Sequence, residues 1–394
     1  MSQTESGQSA WSPAARASSD RRHVFLPVRE YTLGVEEELM LLDPDTLALA
    51  AAIEPIIAGE RERGPARREL MQCQAEVGTR PCRTVAELLE ELVALRSTLG
   101  MDAAGEGVLV AAAGTHPFSR AEEQPITPAH RYRELVAALR YSARRTLCYG
   151  MHVHVAVGGA DKALAIIEAL LTDLPLLLAL STSSPFLDGD ETGLSSTRLI
   201  VLQTMPRTGL PPVLESWREF EATLAGLRRA GAMADATYLW WDVRPQPRLG
   251  TVEVRIMDVQ PRVADSAALA GVVQALVRHH GKRYDRGEGF AKANRLVVGE
   301  NRWLAARHGL RARLVTEGDE AVGARTLIAD LLDRVADDAI ALECEWALER
   351  VEAIAAAGTS ADRQLRQVRQ GHSLDDVLRG LVEETSAPER PRGA

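Results

Sequence analysis

The chain has 394 residues, of which 46% are hydrophobic and 26% charged, and a formal net charge of -9. That length allows two or three domains of ordinary size with a large apolar core. The acidic balance excludes nucleic acid or an anionic membrane as the expected partner, because phosphate polymers are gripped by basic surfaces, and no apolar run is long enough to cross a bilayer.

Residues 1 to 28 are rich in Ser, Ala, Arg and Gln and hold no apolar segment. They do not read as a secretory signal, and a disordered tail is expected there. The next stretch, TLGVEEELML at 32 to 41, is strand-like but carries three consecutive carboxylates. In a strand, alternate side chains point to opposite faces. Glu36 and Glu38 then share one face, and Glu37 falls among Leu33, Val35 and Leu39 on the apolar one, where nothing in the pattern accounts for it. Like charges side by side on a sheet repel unless a cation lies between them.

Further strands follow the same alternation. LMQCQAEVGT puts Gln72, Gln74 and Glu76 on one face, and VLVAAAG at 108 to 114 is apolar. MHVHVAV sets His152 and His154 against Met151, Val153 and Val155, and TVEVRIMD sets Glu253 and Arg255 against Val252, Val254 and Ile256. Such half-apolar strands suit an antiparallel or mixed sheet with helices on one face.

Between them lie helical patterns. Thr84 with Glu87 has the spacing of a capping box. Thr127-Pro128 predicts the start of a helix running to about Leu147. Asp161 and Asp265 are expected caps for helices ending near Leu180 and Tyr284. A helix is expected over 212–229, and the chain reads as nearly all helical from about Arg325, with Ser373 and Asp376 opening a last capped helix. Residues 385–394 read as a loose tail. Cys73, Cys82, Cys148 and Cys344 form no CxxC pair, which fits free thiols in a reducing cytoplasm.

Pooled, the polar positions Glu36, Glu38, Glu76, His152, His154, Glu253 and Arg255 would make an acidic cluster if their strands are neighbours. Clustered carboxylates raise one another's pKa unless divalent cations resolve the charge. An oxygen-rich ligand set favours Mg2+ or Mn2+ over zinc, and such ions serve phosphoryl transfer. No GxxxxGK[ST] loop and no GxGxxG after a strand is present. A nucleotide would therefore be held by metals and arginines, with Arg198, Arg207, Arg244, Arg255 and Arg302 as candidates.

The segments TLGVEEELMLLD, QAEVGT, GMHVHVAV, SSPFLDGDETGLSSTR, PRTGLP, WWDVRPQPRLGTVEVRIMD and ENRWLAARHGL occur in this order. Together they resemble the carboxylate-amine ligase family known as glutamate–cysteine ligase type 2, within the glutamine synthetase-like superfamily. The resemblance runs from about Tyr31 to Gly309. It implies an α+β, glutamine synthetase-like catalytic fold: a curved, largely antiparallel sheet with helices on the convex side and a helical C-terminal third, in one catalytic domain over 29–384. It implies ATP and Mg2+ or Mn2+, with a carboxylate activated as an acyl phosphate, typically the γ-carboxyl of glutamate, and attacked by an amine such as that of cysteine.

Carried over by position, Glu36, Glu38, Glu76, His152 and Glu253 match metal ligands. Glu253 and Arg255 match an E-x-R pair, with the arginine facing the phosphoryl group. Arg198 and Arg244 match arginines for substrate carboxylate or phosphate, and His154, Asn301 and Arg302 belong to the motifs as substrate or nucleotide contacts. Glu69 is a candidate partner for Glu76. The loop from Asp188 to Pro211 is the expected lid over the acyl phosphate. Partners are expected to be small amino acid substrates, with the helical third available for a homodimer. Glu36→Ala and Glu253→Ala are each expected to abolish ATP turnover and leave the protein folded.

Two readings compete. His152-x-His154 suits a metal-dependent amidohydrolase, which needs further histidines from later strands, whereas His279 and His280 lie in a helical pattern. A non-catalytic nucleotide-binding protein on the same fold would be expected to have lost part of the acidic set.

Overall fold

A computed structural model describes residues 25–59 and 66–387. Its centre is a seven-stranded sheet. We number its strands β1 (Leu33–Leu42), β2 (Ala66–Arg68), β3 (Gln74–Gly78), β4 (Leu109–Ala111), β5 (Met151–Ala156), β6 (Val243–Gln246) and β7 (Thr251–Val254). The order is β6-β7-β5-β1-β3-β2, with β4 beside the end of β1. Every pairing is antiparallel, and the α+β class expected from the sequence holds.

Register decides what this sheet can do. Glu36 lies opposite His152, Glu38 opposite Glu76, and Glu253 opposite both His154 and Arg244. Directly opposed residues project from the same face. The acidic and imidazole positions are thereby collected on one side before any side-chain contact is considered.

The other face is apolar. Leu33, Val35, Val153, Val155, Val252 and Val254 are at most 1% exposed. They pack against the long helices Val85–Gly105 and Val263–Asp285 and the shorter Ala160–Leu170. Burying each such side chain contributes about 1.5–3 kcal/mol. The C-terminal helices Ala324–Ala341 and Glu345–Ala357 pack on Val263–Asp285 from outside, which adds a second layer.

Glu37, the misfit of the strand pattern, has a specific partner. It is fully buried, and its two oxygens accept from Arg96 Nε and Nη2 at 2.8 and 2.7 Å. Ser266 Oγ donates to it at 2.6 Å. Arg96 also donates to the carbonyls of Gln260 and Pro261. One ion pair therefore ties β1 to the two long helices and to the turn before the second of them.

Local signals were met unevenly. Thr84 caps its helix by accepting from Glu87 N–H, but the Glu87 carboxylate accepts from Arg83 N–H, so the box is incomplete. Ser373 and Asp376 form the full reciprocal box. Thr127 caps nothing: its hydroxyl donates to the Glu69 carbonyl, and the helix starts at His130. That helix ends at Leu139, where Arg140 takes a positive φ of 42°.

The apolar run around Leu164–Leu180 is broken into Ala160–Leu170 and Leu174–Ser181, bent by 65°. Asp173 at the bend is buried between His280 and Arg334. Asp265 accepts from Arg350 Nε instead of capping its helix. No single described helix is long and apolar enough to cross a membrane.

The chain ends differ slightly from expectation. Leu26 N–H already bonds the Pro247 carbonyl, and Phe25 packs edge-on against Trp217, so residues 25–28 are placed on the sheet margin. The last helix runs to Ser386. The remainder of the tails expected at 1–28 and 385–394, namely 1–24 and 388–394, lies outside the described residues.

Arg96→Ala is expected to cost about 3–5 kcal/mol, because it leaves the Glu37 carboxylate buried without a counter-charge. Urea unfolding followed by circular dichroism measures this, and a loss below about 1 kcal/mol would mean the pair does not clamp the layers.

Candidate active site

The polar face of the sheet opens into a cavity of ≈ 370 Å³. Glu36 and Glu38 from β1, Glu76 from β3, His152 from β5, Arg244 and Gln246 from β6, and Arg255 just after β7 line it. His154 and Glu253 lie immediately beneath.

The cavity has two electrostatic halves. In the first, carboxylates are matched by cations. Arg244 Nε and Nη2 donate to the two oxygens of the fully buried Glu253 at 2.7 and 3.0 Å, and Arg255 pairs with it as well. Burial opposes ionisation of Glu253, but Arg244 and Arg255 outweigh it and hold the carboxyl well below its usual range. Glu36 lies 3.4 Å from His152 Nδ1 and 3.6 Å from His154 Nε2. Burial would raise it, yet the two imidazoles beside it keep it low.

In the second half, carboxylates face one another. Burial, reinforced by the charge of Glu38, pushes Glu69 up to about 7. Burial and then Glu69, Glu36 and Glu38 raise Glu76 well above its ordinary value. Arg67, mostly exposed at 3.7 Å from Glu76, offsets little of this. Glu38 accepts from Gly150 N–H at 2.6 Å, which fixes its direction.

These residues fit divalent cations. Glu36, His154 and Glu253 each present a ligand atom, all within 4.8 Å of one another. The Nε2 atoms of His152 and His154 are buried with no hydrogen-bond partner, and a buried polar atom is seldom left unpaired without a reason. Glu38, Glu69 and Glu76 would hold a cation in the half where burial and carboxylate charge raise Glu69 and Glu76. His154, expected as a substrate contact, sits deeper than that role requires, between Glu36 and Glu253. Glu253 is also the anchor of two guanidiniums, so Glu253→Ala would leave Arg244 and Arg255 unpaired. The expectation that this variant stays folded is therefore withdrawn, while it stands for Glu36.

Two expected residues are not at the cavity. Asn301 exchanges both of its amide bonds with the Val315 backbone, at 2.8 Å each. Arg302 is buried against Asp242, with Nη2 3.1 Å from Oδ1. Together they fasten the helix Arg295–His308 to its neighbours. Arg207 lies beside the cavity, its guanidinium over the Trp240 ring and its Nε donating to the Tyr238 carbonyl. Arg198 does line the cavity.

The expected lid is not a free loop. Within Asp188–Pro211, Ser195 and Ser196 bond the Ala306 carbonyl, Arg198–Leu202 is helical, and Thr208–Gly209 pairs with Trp240–Trp241. Its exposed residues are confined to Asp188–Glu191 and the pair Gln203–Thr204.

Other lining residues carried no sequence signal of their own: Arg68, Arg131, Tyr132, Cys148 and Tyr238. Gln246 could have been found, since it shares the face of Arg244 two residues earlier and donates to Glu253.

Mg2+ is expected to raise the melting temperature, by an increment that grows as pH rises towards about 7. The sign follows from Glu69: its folded pKa lies above 4.5, so in metal-free protein its contribution is present at low pH and lost as pH rises through about 7. Above that pH the cluster needs a cation. Melts with EDTA and with Mg2+ at several pH values test this, and a pH-independent increment would contradict it.

Comparison with known proteins gives the family and the fold. The model of glutamate-cysteine ligase family 2 matches residues 32–384. A Rubrobacter xylanophilus relative bearing the provisional name glutamate–cysteine ligase 2-3 is 42% identical over 90% of this chain and 97% of its own. One from Sorangium cellulosum, provisionally glutamate–cysteine ligase 2, is 40% identical over 91% and 96%. Among solved structures, the glutamate–cysteine ligase of Francisella tularensis in complex with AMP superposes with a TM-score of 0.69 at 15% identity, covering 93% of this chain and 91% of that one. A bifunctional glutathione synthetase from Pasteurella multocida gives 0.70 at 14% identity over 90% and 52%. At such identities these two structures speak for the fold alone. A full-length family match, and relatives 40% identical along nearly the whole chain, place the protein: it belongs to glutamate–cysteine ligase family 2.

Proposed function

We propose that this protein is an ATP-dependent ligase that joins a carboxylate to an amine, with the γ-carboxyl of glutamate as the carboxylate and cysteine as the amine. The observation that carries the reading is the convergence of Glu36, Glu38, Glu69, Glu76, His152 and Arg255 on one cavity from separate parts of the chain. Family membership supports the same chemistry.

In the proposed reaction a substrate carboxylate oxygen attacks the γ-phosphorus of ATP, and ADP departs. The acyl phosphate then takes the amine nitrogen at its carbonyl carbon, phosphate leaves, and the amine gives up a proton. Mg2+ or Mn2+ held by the carboxylates and imidazoles would neutralise the nucleotide's phosphate charge. Arg255, kept in place by Glu253, is the group placed to meet charge developing on the transferred phosphoryl. Arg244 is pinned by Glu253 and by the carbonyls of Thr237 and Leu239, which gives the cavity a rigid wall.

The amidohydrolase reading loses ground. His279 and His280, both on the helix Val263–Asp285, are engaged by Asp338 and Asp173 respectively, and neither histidine lines the cavity. The non-catalytic reading has to explain why a full set of mutually repelling carboxylates persists.

The direct test is ADP release with glutamate and related acids against a panel of amino acids and amines, with Mg2+ or Mn2+. Release is expected only when metal, acid and amine are all present. Glu36→Gln is expected to lower kcat by about 10²–10³ or more while the protein stays folded. A wild-type rate in that variant, or amide hydrolysis without nucleotide, would overturn the reading.

A further inference from the structure

Arg198 is 2% exposed and lines the cavity. The other buried arginines among the described residues have a carboxylate: Arg96 has Glu37, Arg244 has Glu253 and Arg302 has Asp242; the partly exposed Arg255 shares Glu253. Among the described residues Arg198 makes no such ion pair. Its Nη1 and Nη2 donate to the carbonyls of Ile256 and Arg255, each at 3.2 Å, and its Nε is buried without a partner. Carbonyl dipoles do not neutralise a buried cation, and the nearby buried carboxylate, Asp258, feels this charge without forming an ion pair with it.

The position of that cation is built in. Its guanidinium lies flat on Gly150, where a Cβ would come 2.1 Å from Nη2 and 2.6 Å from Cζ. Gly150 has no positive φ that would call for glycine; the requirement is space. Behind it, Asp258 spends its oxygens on Ser183 N–H, Ser184 Oγ and Ser196 Oγ at 2.9, 2.7 and 2.8 Å. Ser184 Oγ in turn accepts from Arg198 N–H at 3.2 Å. Asp258 thus holds the start of the Arg198 helix without pairing with its guanidinium.

We infer that Gly150 is a positioning residue: its missing side chain seats the Arg198 guanidinium as an unpaired cation for an oxyanion brought in by substrate, a phosphoryl or a carboxylate group. This deepens the ligase reading, and only its kinetic arm rests on that reading.

The probe is inorganic phosphate. Wild-type protein is expected to show saturable thermal stabilisation by phosphate. Gly150→Ala and Arg198→Lys are each expected to weaken that affinity by roughly 10- to 100-fold, the usual cost of disturbing a residue that orients a ligand group. The double variant is expected to be no worse than Arg198→Lys alone, because a lysine lays no flat fork on residue 150. Should Gly150→Ala alone fail to fold, the double variant is expected to fold, having removed the clash.

Three results would each overturn the inference: no saturable phosphate response in wild type, unchanged affinity in Gly150→Ala, or a Gly150→Ala effect that persists in full when Arg198→Lys is already present. Failure of both the single and the double variant to fold would overturn it too. In ADP-release assays a raised KM for ATP assigns the oxyanion to the phosphoryl group, and a raised KM for the acid assigns it to the carboxylate. If wild type takes phosphate but releases no ADP with any acid, the seat stands and the ligase reading falls.

Discussion

The antiparallel register of β1 with β3 and β5 is the constraint on which the rest of the molecule depends. Set Glu36 against His152 and Glu38 against Glu76, and the acidic face is assembled. A slip of one residue would turn every one of these side chains into the apolar layer. The opposite face makes that slip costly. Glu37 sits between Glu36 and Glu38 but points away from them, into a bidentate bond with Arg96. A register shift would pull this carboxylate out of its only counter-charge and push Glu36 or Glu38 into hydrocarbon. The central residue of the acidic triplet thus serves register, and its two neighbours serve the cavity.

Within the cavity, charge is divided rather than balanced throughout. Glu36 and Glu253 are held low by imidazoles and guanidiniums, while burial first, and then neighbouring carboxylates, raise Glu69 and Glu76 so that they keep protons to higher pH. A uniform acidic patch would bind cations with little order among sites. Here the ionised half is ready at neutral pH, and the protonated half must release protons to bind. The scaffold carries the repulsion: a site built for a cation or phosphate is a source of strain in its absence. The apolar layer and the Glu37–Arg96 clamp offset that strain.

Much of this was legible in the sequence because strand alternation is a short-range code. Glu36, Glu38, Glu76, His152, His154 and Glu253 could be assigned to one face from period two alone, and pairing then brought those faces together. The code fails where the backbone leaves the strand. Glu69 precedes β3 by several residues, and its place is set by Thr127 bonding its carbonyl, a contact between distant segments that no periodicity announces. The same contact explains the false helix start at Thr127-Pro128: the hydroxyl that would have capped a helix is spent elsewhere. Asp265 was misread for a similar reason, since its carboxylate answers Arg350 from a C-terminal helix.

The motif arginines and their neighbours show where sequence resemblance stops being a guide to role. Asn301, Arg302 and Arg198 all belong to matched segments, and all three are buried. Asn301 finds its donor and acceptor in one residue of an adjacent strand, and Arg302 finds a carboxylate. Each has its partner within the protein, and what it does is hold a helix. Arg198 finds only carbonyls, and its seat requires a glycine. A charge whose partners are all internal contributes to the fold. A charge that the fold positions with such care, and that forms no ion pair among the described residues, points outward, to something the protein binds. Pairing, more than burial or motif membership, separates the arginines of the scaffold from those of the cavity.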